Sequence, residues 1–93
     1  MAGQIVHVDR FGNLISNLTQ FQLTEVRSVT KRSAPYVRLA GHTIEGLVNS
    51  YSAGAPGVPQ ALINSNGQLE VFVREGNAAE VLAVTRGARI ELA

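Results

Sequence analysis

Apolar and polar residues alternate along most of this chain with the two-residue period of extended strands, not the longer period of helices. Gln4 to Val8 alternates, with Ile5 and His7 expected on one side and Val6 and Val8 on the other. Leu14 to Leu18 is a second extended piece. Phe21 to Thr24 reads as a turn or the start of a short helix, and the polar stretch Arg27 to Ser33 as a loop or ragged edge strand. Pro35 pushes Ala34 toward extended geometry, and Tyr36 to Ala40 then alternates as a strand. Gly41-His42 reads as a turn into a strand over Thr43 to Val48. Ser52 to Pro59, rich in Gly and Pro, reads as a loop. Ala61 to Asn64 and Leu69 to Val73 flank Ser65-Asn66-Gly67, a strong hairpin signal because Asn-Gly tolerates positive φ. Gly76 to Leu82 is the best helical candidate, with Asn77 as N-cap and Glu80 three residues later. A last strand is expected over Ala88 to Leu92.

Many short strands, regular turns and one short helix near the C-terminus predict an all-β fold. The expected form is a small antiparallel β-barrel, Greek-key-like, in a single domain over residues 1–93. No apolar run approaches the ~20 residues that span a membrane. Met1-Ala2-Gly3 enters a strand pattern directly, so no signal peptide is expected. The chain has no cysteine, which excludes thiolate chemistry and fits a cytoplasmic protein. Its net charge of +1 is spread out, and the basic residues between Arg27 and Arg38 read as a solvated loop or edge.

One run breaks the strand grammar. Val8-Asp9-Arg10-Phe11-Gly12-Asn13-Leu14 interrupts an apolar stretch with an acid, a ring, a glycine and an amide. These are poor strand formers, so the run predicts a bulge or tight turn that aims polar groups at something. Asp9, the only aspartate, is either a turn residue bonding its own backbone or an acceptor for a ligand hydroxyl or ammonium. Phe11 is either a buried ring or a stacking face for a flat heterocycle. Asn13 is either a loop amide or a partner for adenine, whose edge carries both a donor and an acceptor. His7 and His42 lack partners at metal-ligand spacing. No serine stands in a nucleophile elbow, and no glycine-rich loop has phosphate-cradling form.

Three blocks together carry a resemblance. They are Val8 to Asn17, then Asn64-Ser65-Asn66-Gly67-Gln68-Leu69-Glu70-Val71, then Arg74-Glu75-Gly76-Asn77-Ala78-Ala79. In this order, with Gly46 and Tyr51 in the spacer, the chain resembles the C-terminal domain of the S-adenosylmethionine hydroxide adenosyltransferases. That family includes the fluorinating and chlorinating adenosyltransferases. The likeness runs from about Gly3 to Leu92. It implies a β-barrel attached to a larger α/β N-terminal domain, in trimers that bind S-adenosylmethionine between neighbouring subunits. The implied reaction is attack at the ribose C5′ with release of methionine. Water gives adenosine, and halide gives the halogenated nucleoside.

Residue by residue, the resemblance implies that Asp9 holds the methionine amino group and Ser65 binds near the methionine carboxylate. Asn66 stands where the halogenating branch often has arginine. Phe11 and Asn13 would contact the adenine region. The backbone of Ala78 would bond the adenine edge, supported by Asn77 and Arg74. S-adenosylmethionine is substrate here, and no cofactor or metal is implied. The Asp-Arg-Phe-Gly-Asn form is similar to the hydrolytic branch. The groups that activate water belong to the N-terminal domain, which these residues do not include, so the isolated barrel is expected to be inert. Two alternatives differ in kind. One is a stand-alone nucleoside-binding or oligomeric interaction module. The other is a barrel for single-stranded nucleic acid, disfavoured by near-neutral charge and few aromatics.

Overall fold

A computed structural model describes all 93 residues. Seven strands build the body: β1 (Ala2–Val8), β2 (Leu14–Thr19), β3 (Tyr36–Leu39), β4 (His42–Glu45), β5 (Pro59–Ile63), β6 (Gln68–Val73) and β7 (Arg89–Leu92). They form one sheet in the order β4-β3-β7-β1-β2-β6-β5, with every pair antiparallel. The sheet curls until its two edges nearly meet. Past β4, the Val48 amide donates to the Ala61 carbonyl of the opposite edge strand at 2.9 Å. The result is the small antiparallel barrel that the alternation predicts. Inward residues Ile5, Leu14, Leu18, Val37, Leu39, Leu69, Val71, Ile90 and Leu92 fill its interior.

The strand-level reading holds with three corrections. First, β1 carries an irregularity between Ile5 and His7, where the register jumps from Ile5↔Ser16 to His7↔Ile15. A bulge adds one residue and reverses the facing of the residues beyond it. Ile5 is therefore buried while His7 is exposed, and Val8 packs against the core. Second, the β3–β4 turn is Ala40-Gly41, both at positive φ, so His42 already belongs to β4, and β4 stops at Glu45, before Gly46 at φ 76°, rather than running to Val48. The paired positive φ values match the right-handed twist of the flanking strands.

Third, the barrel has two helices, not one. The longer, α1 (Gln20–Thr30), covers the segment read as a turn or the start of a short helix followed by a loop or ragged edge strand; of these, the helix start is what forms, and it runs on to Thr30. Its N-terminus is held by Gln22, whose Oε1 accepts from the Thr19 amide at 2.6 Å. Its last turn closes at Lys31, which adopts left-handed geometry and donates to the Arg27 carbonyl. Only Leu23 and Val26 are buried on it. Such a narrow apolar stripe gives little periodic signal. The shorter helix, α2 (Ala78–Leu82), has the expected cap: Asn77 Oδ1 accepts from the Glu80 amide at 3.0 Å.

β6 is buried on both faces. Leu69, Val71 and Val73 point into the core. Glu70 and Phe72 point outward, yet a loop lies over them: a 3-10 turn at Tyr51–Ala53 and the chain running on to β5. Gly54 is the point of closest approach, since a Cβ there would collide with the Gln60 side chain and crowd the Phe72 ring. The covering loop gives the barrel an outer wall on this side.

Candidate functional site

The Asp9–Asn13 segment is a hairpin loop organised by one carboxylate. Asp9 Oδ1 accepts from the backbone amides of Phe11 and Asn13, both at 2.9 Å. Asp9 Oδ2 accepts from Asn13 Nδ2 at 3.1 Å. The Asp9 amide donates to the Asn13 carbonyl at 3.1 Å, and the Gly12 amide to the Asp9 carbonyl at 3.0 Å. The acid thus fixes the loop, and the loop aims its side chains. Phe11 is left 62% exposed, a large apolar surface that water does not favour. Arg10 lies over its ring, with Cζ at 4.9 Å from the centroid.

The loop faces the largest cleft of the molecule, about 820 Å³, on the outside of the barrel. It is lined by Asp9, Phe11 and Asn13 of the loop, by Tyr51 and Phe72, and by Val73 to Gly76. Glu75 takes left-handed geometry there, at φ 58°. A second cleft of about 380 Å³ includes His7, Asn64, Ser65, Asn66, Gln68 and Glu70 in its lining. Tyr51 lines both clefts, the one residue they share.

Asp9, Phe11, Asn13 and Arg74 are therefore gathered in one cleft, and Ser65 and Asn66 in its neighbour. Arg74 also straps the overlying loop, its Nη1 donating to the Gly54 carbonyl at 3.1 Å. Asn77 and Ala78 line neither cleft. Asn77 is half-buried against Gly12 while capping α2. Ala78 is wholly buried, and its amide is one of those that a helix leaves without an intrahelical partner. The start of α2 is tied to the Asp9 loop, because the Ala79 amide donates to the Gly12 carbonyl at 3.0 Å.

Reasoning from the residues gave no role to Glu70 or Tyr51. Glu70 is only 3% exposed. Its Oε2 accepts from the Tyr51 hydroxyl at 2.6 Å and its Oε1 from Asn64 Nδ2 at 3.0 Å. Burial, the bond donated to Glu70, and the nearby charges of Glu70 and Asp9 push the Tyr51 phenol well above its ordinary value. The Tyr51 ring meets Phe72 edge-on, with centroids 5.1 Å apart. An acid at alternate position in an apolar strand normally reads as solvent-facing. Only the loop above it gives it away.

Residues 3–91 match the model of the SAM hydroxide adenosyltransferase C-terminal domain. The chain belongs to that family. It is 32% identical over 90 residues to an (R)-S-adenosyl-L-methionine hydrolase of Thermus thermophilus, a match spanning 97% of this chain and 31% of the relative. Among solved structures, an uncharacterized conserved protein from Thermotoga maritima superposes with a TM-score of 0.77 at 29% identity. That match covers 99% of this chain and 35% of the other. A conserved hypothetical protein from Thermus thermophilus gives 0.76 at 27% identity, covering 99% and 34%. This SAM hydroxide adenosyltransferase C-terminal domain thus spans about a third of the length of the relatives it matches. No helix in it is long and apolar enough to cross a membrane.

Proposed function

We propose that this domain supplies the adenine- and methionine-binding wall of an S-adenosylmethionine hydrolase that forms adenosine and methionine. A family-type N-terminal α/β domain would supply the groups that activate water. The observation that carries this reading is the convergence of the Asp9 carboxylate, the Phe11 ring and the Asn13 amide on one open cleft. Asp9 Oδ2 receives a single bond, from Asn13, and retains acceptor capacity for the methionine ammonium. Phe11 offers a stacking face, and Asn13 an amide edge, to adenine. Arg74 would hold the adenine side of the cleft, with the Asn77 cap and the buried Ala78 fixing the start of α2 behind it. Ser65 and Asn66, one cleft over, would receive the methionine carboxylate.

A one-sided cleft cannot desolvate a substrate, so the domain alone would be inert. A general base must reach the water it activates, and that group would come from the partner. The assembly in this reading is a homotrimer of two-domain subunits in the cytoplasm, which the lack of cysteine suits.

The test mixes this chain with the N-terminal domain of the Thermus hydrolase and follows adenosine by chromatography. Neither part alone should form adenosine, and the pair should. Asp9→Asn should raise KM for S-adenosylmethionine, since a hydrogen bond to a charged group is worth about 1.5–3 kcal/mol, roughly ten- to a hundredfold. Enzyme-like turnover by the isolated chain, or an unchanged KM in the variant, would refute the reading.

A further inference from the structure

Glu70 is a buried carboxylate without a cation. The one ion pair in the structure, Arg89 with Glu91, lies elsewhere on the surface. A charge removed from water and paired only with neutral donors is a poor stabilising element, and an apolar residue would serve packing better. What Glu70 does hold is specific. One oxygen takes the Tyr51 hydroxyl; the other takes Asn64 Nδ2. Asn64 uses its own oxygen to accept from the amides of Asn66 at 2.9 Å and Gln68 at 3.0 Å. A continuous chain of hydrogen bonds therefore runs from the Ser65-Asn66 turn, through Asn64 and Glu70, to Tyr51, the residue that the two clefts share.

We infer that Glu70 is a positioning residue that fixes Tyr51 and the Ser65-Asn66 turn relative to each other, making the two clefts one elongated site. The inference rests on the proposed function and deepens it. Its ligand is a nucleoside carrying an amino-acid tail. The flat ring and the ammonium at Asp9 lie in the larger cleft, and the tail passes the Tyr51 ring so that its carboxylate reaches Ser65 and Asn66 in the smaller one. Without the Glu70 bond, Tyr51 is nearly half exposed and free to change rotamer. Its edge contact with Phe72 alone sets no direction for the hydroxyl.

The test is an amide NMR titration of this chain with S-adenosylmethionine, which reads even millimolar affinity. Wild type, Tyr51→Phe, Glu70→Gln, the double variant and Asp9→Asn are compared. Tyr51→Phe, at a ring nearly half exposed and with its fold checked by the dispersion of the same spectra, should weaken binding roughly fivefold, the worth of one ordinary hydrogen bond. Glu70→Gln should weaken it similarly, and should add almost nothing in the Tyr51→Phe background, because both act through the same contact. Tyrosinate absorbance should show the Tyr51 phenol ionising at lower pH in Glu70→Gln, a signature that loss of packing alone would not give. Should Glu70→Gln fail to fold, Tyr51→Phe still decides, and unchanged affinity there overturns the inference. Equal, independent losses from the two substitutions also overturn it. If Asp9→Asn abolishes binding while Tyr51→Phe and Glu70→Gln do not, this inference fails and the proposed function stands. If wild type shows no shifts at all, both fail.

Discussion

Gly12→Ala is the sharpest test of how the site loop is held. Gly12 sits at φ +81°, in the left-handed region, and a Cβ there would fall within the Asn77 side chain. Two costs follow. Left-handed geometry costs an alanine about 1–2 kcal/mol. Displacing Asn77 forfeits its bond to the Glu80 amide, a cap worth about 1 kcal/mol. The sum is about 2–3 kcal/mol, which in a domain this size lowers Tm by roughly 8–24 °C. Urea unfolding followed by circular dichroism measures it directly. The two costs separate in a double-mutant cycle. In an Asn77→Ala background the cap is already lost and the clash removed, so Gly12→Ala should cost only the backbone term. The non-additivity should be about 1 kcal/mol, above the roughly 0.5 kcal/mol scatter expected of independent sites. A cost for Gly12→Ala below about 0.5 kcal/mol, or full additivity, would show that the loop does not lean on the α2 cap.

Other outcomes follow from the same geometry. Asn64→Ala should leave the Asn66 and Gln68 amides without their acceptor and destabilise the β5–β6 hairpin by about 1–3 kcal/mol, read as a lower urea midpoint with unchanged slope. The Tyr51 phenol has a raised folded pKa, so its stabilising contribution should be complete below the unfolded value of about 10 and be lost as pH rises beyond it. Thermal unfolding of wild type should therefore fall more steeply between about pH 10 and 12 than that of Tyr51→Phe, and parallel curves would contradict the assigned hydrogen bond.

Strands, the Asn-Gly hairpin and the α2 cap could be read from the sequence because their causes are local. Alternation of Leu69, Val71 and Val73, the positive φ available at Gly67, and the oxygen of Asn77 act within a few residues. The polar interruption at Asp9–Asn13 was legible for the same reason, since Asp9 bonds its own loop. The motif blocks shared with the family carried the rest of the proposed site.

Other features depended on partners distant in sequence. α1 is rich in β-branched and polar residues and buries only Leu23 and Val26, so the barrel end it covers decides that it is a helix. The bulge that exposes His7 is set by pairing with β2, which no pattern in β1 alone announces. Glu70 looks solvent-facing until the Tyr51 loop, 19 residues away, folds over it and donates to it. The sequence by itself thus determined the extended segments, their turns and the chemistry offered at Asp9, Phe11 and Asn13. Only the tertiary structure decided which outward face is covered and which residue the two clefts share. Burial is a property of what lies above a residue, and the covering chain comes from elsewhere in the sequence.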